Sequence, residues 1–484
     1  MKKSDNTIRN IVIMALALVI ALILIYIPLP ESILTVGDAT LTDAGQTAMA
    51  ILIFALILWM TEAVPFHITG LLGVVMMALF GIDSFKSIVK AGFGNDIIVF
   101  FIGVLILSSF ITKSGLGKRI SMFILSKTGN NTHFIILGFL IAGVVLSMWV
   151  TDMAVAAMLM PLGKSILKEE NVKPLKSNFG KALMISCAWG PIIGGIGTPA
   201  GCGANPLAVG FLRDMAGIDV SFLDWMIYGV PAALLLILPT WGILLLFFKP
   251  EMKTLSKTKE ELVEEYKALP KMDREQKITV VIFLLTVILW LTTPLLKDLL
   301  GIQIPISMPV LLTACLFFFP GVSKIKWKEV ERDVSWSGII LVVSGISLGM
   351  MLYNSGAAMW LSVVLLGGIG SLPVYIQILA IVLIVSMLKI VFSSNTVTGT
   401  IIIPIIIALA QSLGLSALGI TLPAAITASL AFILVTSTPT NVIPYSAGFF
   451  SIKDMAKAGV SLTVVSSVIV ASTIYIVGNM TGLY

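Results

Sequence analysis

Charge is scarce in this chain: Asp, Glu, Lys and Arg make up 12% of its 484 residues, against 58% hydrophobic. That excludes a soluble globular protein, which could not hide so much apolar surface, and leaves an all-α polytopic membrane protein. Histidine and cysteine are rarer still, with two and three residues. Cys187, Cys202 and Cys315 stand far apart in apolar or Gly-rich surroundings, so neither a disulfide framework nor a metal-ligand pattern is present. No Gly-rich loop ending in Lys-Ser or Lys-Thr supports ATP drive, and no catalytic constellation supports an enzyme. A cleavable leader is not expected either. Met1-Lys2-Lys3 and the apolar run to Ile27 lack a small-x-small site and enter Pro28-Leu29-Pro30, so this stretch reads as the first span. The net charge of +6 does not point to nucleic acid, because the basic residues sit in loops between apolar runs, where they act as a topology signal.

What the chain has in abundance is apolar runs of spanning length. They fall near 8–27, 44–62, 65–82, 96–112, 180–212, 222–248, 278–296, 303–320, 336–353, 421–449 and 455–479. This predicts about eleven transmembrane helices, some broken or tilted. Two further regions, 132–168 and 372–413, are too long for one helix and too interrupted for two full spans. Each reads as a re-entrant helical hairpin with its tip inside the membrane, buried in protein. With Lys2, Lys3 and Arg9 inside, the basic loops at 113–119, 164–181, 249–277, 324–332 and 453–457 fall on the cytoplasmic side, and the loop with Glu31, Asp38 and Asp43 falls outside. The positive-inside rule then gives a cytoplasmic N-terminus and an outer C-terminus, with Lys86, Lys90, Arg213 and Lys297 as exceptions.

Polar breaks recur in matched pairs. Thr151-Asp152-Met153 precedes Pro161 by the same spacing as Ser394-Asn395-Thr396 precedes Pro404. Gly201-Cys202-Gly203-Ala204-Asn205 is matched by Ser437-Thr438-Pro439-Thr440-Asn441, and Ser114-Gly115 by Ser355-Gly356. In the charge-based topology the first hairpin enters from inside and the second from outside, which makes the halves an inverted repeat. Broken helices at the midplane of such a repeat are a secondary-transporter plan. The small hydroxyl and amide groups of Ser394, Asn395 and Thr396, with opened helix N-termini, suit an anion that needs donors at both ends.

At these residues the chain resembles the divalent anion/sodium symporter family over nearly its whole length. Ser394-Asn395-Thr396 matches the family's Ser-Asn-Thr tip in full, and Ser437-Thr438-Pro439-Thr440-Asn441 matches its second unwound helix. Gly201-Cys202-Gly203-Ala204-Asn205 is similar to its Gly-rich variant, with cysteine in place of threonine. Ser147-Met148-Trp149-Val150 and Ala156-Ala157-Met158 flank the first tip as in the family, but the tip itself departs, with Thr151-Asp152-Met153 for Ser-Asn-Thr. The resemblance implies a homodimer in the cell's plasma membrane with a fixed scaffold domain and a moving transport domain that carries the site; scaffold helices are expected at 1–95 and 278–335, the two repeat halves at 96–248 and 336–484, and a cytoplasmic amphipathic segment at 249–277. It implies a dicarboxylate held by Thr151, Asp152, Met153, Gly201, Cys202, Gly203, Asn205, Ser394, Asn395, Thr396, Thr438, Pro439 and Asn441. Sodium, the one ion implied, would sit at Ser147, Thr151, Asp152 and Gly201 beside the first tip, and at Ser393, Asn395 and Ser437 beside the second.

Asp152 puts a carboxylate where the family has a neutral amide, and it would repel the substrate unless a proton, a cation or a lysine offset it. It could strengthen a cation site, carry a proton, or mark a remodelled site without sodium coupling. Met153 also removes a donor. The resemblance includes sodium-independent exchangers, so the functional expectation is dicarboxylate transport leaning to anion exchange, with sodium symport as the alternative and sodium/proton antiport through Asp152 as a second. Lys389, just before the second tip, is placed to reach substrate or Asp152, or to snorkel from a helix end.

Overall fold

The structure, a computed structural model, describes residues 2–37, 39–302 and 304–484, with the side chains of residues 2–6, 262, 298 and 300 outside that description. Asp38 of the acidic loop and the Lys2 and Lys3 side chains therefore lie outside the described residues. Within them the backbone is helical nearly throughout, as a chain without water around it requires. The described strands are one two-residue ribbon, Thr35–Val36 against Ala39–Thr40.

Among the described residues, nine helices are long and apolar enough to cross a membrane. The expected runs at 65–82 and 303–320 form shorter helices, Phe66–Leu79 and Ser307–Leu316. Those at 180–212 and 421–449 are each divided into two helical pieces, Asn178–Gly195 with Ala204–Ala216, and Ala417–Ala428 with Pro439–Tyr445. In the first, Gly197, Pro199, Gly201 and Gly203 account for the division, whereas the second crosses the bulky stretch Leu430 to Val435 and restarts at Pro439, which opens the new helix.

Both hairpins form where the sequence places them. The first is Thr132–Ser147, a turn, and Asp152–Glu169; the second is Val374–Val391, a turn, and Asn395–Ser412. They open toward opposite ends of the bundle. Helices Phe222–Phe247 and Ile452–Thr481 run antiparallel: Tyr228 Oη meets Thr481 Oγ1 at one end, and Lys181 pairs with Asp454 at the other. The base of the first hairpin lies at the Lys181 end, where Thr132 Oγ1 donates to the Met252 carbonyl and Glu170 binds Ser256. The base of the second lies at the Thr481 end. There Tyr484 Oη donates to the carbonyl of Gly419, and Val374 and Gln377 of the hairpin border one cleft with Leu415, Ser416 and Tyr484.

The repeat extends to backbone detail. Gly115 and Gly356 both take left-handed conformations, with φ of +73° and +79°, and each opens a following helix, Leu116–Thr128 and Ala357–Leu366. A side chain there would be strained, so glycine at both positions is a conformational requirement. Each tip helix also packs on the post-break helix of the other half: Asp152–Glu169 on Pro439–Tyr445, and Asn395–Ser412 on Ala204–Ala216. This interlock brings the four polar breaks to one place.

Candidate functional site

At the first tip the chain turns sharply and is bound to its own half's break. The Thr198 hydroxyl donates to the Met148 carbonyl, and the Asp152 N–H donates to the Gly201 carbonyl at 3.1 Å. Gly201 has no room for a side chain, because a Cβ would stand 2.5 Å from the Gly195 carbonyl oxygen and 2.6 Å from that of Ser147. The Asp152 carboxylate accepts from the Met153 N–H at 2.8 Å and lies within reach of the Thr440 hydroxyl.

The second tip reaches across the repeat boundary. Asn395 Nδ2 donates to Cys202 Sγ at 3.2 Å, and a Cβ at Gly203 would stand 2.6 Å from Thr396 Oγ1. Ser394 caps the tip helix by accepting from the Val397 N–H at 3.4 Å. Lys389, on the helix entering this tip, is buried, and its ammonium donates to the Ser437 carbonyl at 3.2 Å. The Ser437 hydroxyl answers at 3.4 Å to the Lys389 carbonyl.

Asn205 and Asn441 play matching parts. Asn205 Nδ2 donates to the carbonyls of Gly195 and Thr198 at 2.7 and 2.8 Å. Asn441 Nδ2 donates to those of Ala431 and Leu434 at 2.8 and 3.1 Å. The offsets along the chain are the same, ten and seven residues back in each case. These amides satisfy carbonyls released where each helix opens, which is how unwound backbone is tolerated at membrane depth. Their N–H groups are engaged by the fold.

The expected site residues thus divide by depth. Asp152, Gly201, Cys202, Asn205, Asn395, Ser437, Thr438 and Asn441 form a buried floor, together with Ser147. Thr151, Gly203, Ser393, Ser394 and Thr396 form a half-buried rim. Met153 and Pro439 are exposed, Met153 to 40%. Sequence reasoning passed over Thr198, Ser429 and Thr440. Ser429, which donates to Asn205 Oδ1 at 3.2 Å, lies outside any quoted motif, whereas Thr440 sits inside one.

Several floor oxygens have no hydrogen-bond partner: Ser147 Oγ, Asn395 Oδ1 and Asn441 Oδ1. Buried orphan acceptors are costly unless a ligand completes them, and neutral oxygens of this kind suit a hard cation such as sodium. A separate cavity of about 680 Å³ near Arg213 and Lys297 is the other anion-binding possibility. Asp96, Asp219 and Asp224 line it as well, and Arg213 is paired with Asp96 and with Asp214, so its cations face acids.

Comparison with known proteins gives the family and the fold. The family description "Sodium:sulfate symporter transmembrane region" matches residues 8–483. The chain is 32% identical over 453 residues to the sodium-dependent dicarboxylate transporter SdcS of Staphylococcus saprophyticus, covering 90% of this chain and 86% of the relative. It is 30% identical over 449 residues to the transporter of the same name from Staphylococcus aureus strain USA300, with the same coverage of 90% and 86%. Two solved transporters share the fold: Neisseria gonorrhoeae MtrF, with a TM-score of 0.56 at 11% identity over 97% of this chain and 94% of that one, and Alcanivorax borkumensis YdaH, with 0.53 at 13% over 82% and 88%.

Proposed function

Because the chain belongs to the sodium:sulfate symporter family, a group of multi-pass membrane transporters, we propose that it carries small dicarboxylates of the succinate, malate and 2-oxoglutarate class by sodium-coupled symport. The observation that carries this reading is the meeting of two helix N-termini, Asp152–Glu169 and Asn395–Ser412, over the Cys202 break. A helix N-terminus carries a positive dipole end, and two of them brought to one break match a dianion with a carboxylate at each end. Thr396, Ser394 and Thr151 on the rim supply hydroxyl donors. Sodium travels as cargo, held beside the first tip with the orphan Ser147 Oγ among its ligands, and offsets the substrate charge.

The departures at Asp152 and Met153, taken alone, leave a stronger cation site, a proton carrier and exchange all open. The names of the two staphylococcal relatives specify sodium dependence and support symport instead. Asp152 keeps a polar partner within reach in the Thr440 hydroxyl, which suits a cation site retained rather than lost. Proton antiport through Asp152 has no comparable support. The test is uptake of labelled succinate into proteoliposomes with and without an inward sodium gradient, with malate, 2-oxoglutarate, citrate and sulfate as competitors. Sodium-driven uptake into empty vesicles is expected. Uptake that needs internal dicarboxylate and ignores sodium would restore the exchange reading.

The same reading extends to assembly and orientation: a homodimer with residues 1–95 and 278–335 as scaffold, moving transport domains, and the Lys181 end of the bundle facing the cytoplasm. Support for the orientation comes from the ion pairs Lys113–Asp333, Lys181–Asp454 and Lys257–Glu169, whose loops gather the basic residues at that end. Thiol labelling of Cys replacements at Lys257 and Tyr484 from either side of sealed cells separates the two orientations.

A further inference from the structure

Lys389 has no charged equivalent in the first half, where Leu146 stands as far before Asp152 as Lys389 stands before Asn395. Asp152 in turn has the neutral Asn395 as its equivalent. Relative to a symmetric pair of tips, then, one tip has gained a carboxylate and the other an ammonium. Both are buried, at 8% and 3% exposure, and each lies in the other's electrostatic reach. Intramembrane charges persist where they are paired or functional. Packing alone does not explain Lys389, because its ammonium is not snorkelled to a surface: it is seated on the carbonyl of Ser437, in the wall beside the second tip.

We propose that Lys389 is a tethered cation, its ammonium occupying the second-tip cradle where a transported sodium ion would otherwise sit, while Asp152 makes the first tip the stronger sodium site. The inference rests on the symport reading and specifies its ion count. The Ser437 carbonyl already holds an ammonium at 3.2 Å, and that positive charge repels a second cation from the same oxygen. The orphan oxygens divide accordingly. Ser147 Oγ, on the carbonyl side of Gly201, belongs to the Asp152 tip, and its backbone carbonyl is already drawn against that break. The ammonium supplies a fixed positive charge near the substrate, which lowers the number of sodium ions needed to balance a dianion. No group is transferred and no bond is made; the claim concerns charge and site occupancy alone.

The experiment is dual-label flux in proteoliposomes, with labelled succinate and radiosodium, on the full chain and on Lys389→Gln and Lys389→Arg. The sodium-to-succinate ratio is expected to rise by about one in Lys389→Gln, with uptake at low sodium falling roughly tenfold and recovering as sodium is raised. Lys389→Arg, which keeps the charge, is expected to keep the wild-type ratio. If Lys389→Gln proves too unstable to reconstitute, Asp152→Asn/Lys389→Gln leaves no unpaired buried charge and is expected to show the raised ratio as well. An unchanged ratio in whichever neutral variant folds, with succinate still carried, would overturn the tethered cation and leave the symport reading standing. Wild-type vesicles that carry no dicarboxylate at all would instead remove the function on which the inference rests.

Discussion

The two halves of this molecule share a plan and differ in charge. Their breaks are spanned by asparagines, Asn205 and Asn441, that reach back over the same chain offsets to released carbonyls. Their tips differ: the first presents Asp152, bound to its own half through the Gly201 carbonyl, whereas the second presents Asn395, bound across the repeat to Cys202. The backbone scaffold of a broken-helix site is therefore set by features common to both halves. On the proposed reading, ion preference lies with the few positions where they diverge.

Replacing Asn395 by Ala removes the amide that joins the second tip to the first break, and succinate uptake is expected to fall roughly a hundredfold, the scale of a lost hydrogen bond to a charged ligand. Retained uptake would take Asn395 out of the site. The asparagine parallel is sharpened by comparing Asn205→Ala with Asn441→Ala in thermal unfolding in detergent. Asn205 also accepts from Ser429, whereas Asn441 Oδ1 has no partner, so Asn205→Ala is expected to cost about 2–3 kcal/mol and Asn441→Ala about 1–2. Equal losses would break the distinction.

Gly201→Ala pushes a methyl against the backbone carbonyls of Gly195 and Ser147, with an expected cost of about 1–3 kcal/mol and a displaced first tip. Gly203→Ala meets only the Thr396 side chain and is expected to cost less, as read from the same melting curves. Asp152→Asn makes the central tip residue the same in both halves. Sodium half-saturation of succinate uptake is expected to rise several-fold, about 1 kcal/mol of cation binding at a partly screened site. An unchanged value would show that the carboxylate does not face the ion. Cys202→Thr, which restores a hydroxyl at the break, is expected to change uptake by no more than about threefold, since a hydroxyl replaces a weak sulfur acceptor with a better one.

Much of this was legible from residue order. The hairpin limits at 132–168 and 372–413 fall close to the helices that form, because prolines, small residues and apolar run length all pointed the same way. The four polar stretches do converge. What the chain did not disclose was which polar groups serve the fold. Asn205 and Asn441 were read as substrate donors, but their N–H groups bind carbonyls ten and seven residues back, a relation visible only once the helix opens. Ser429 was missed because it meets Asn205 across the repeat, with no local signal in the chain. Lys389 was left between substrate contact and snorkelling, and its burial against Ser437 could be settled only by packing.

The central claim is that one dicarboxylate sits between the two tips. The most direct measurement is an experimental density map of the reconstituted protein with succinate and sodium. Density is expected between Asn395, Thr396 and Thr151, above the floor of Cys202 and Asp152. Succinate found instead in the cavity beside Arg213 and Lys297, with the tips closed on each other and empty, would contradict it.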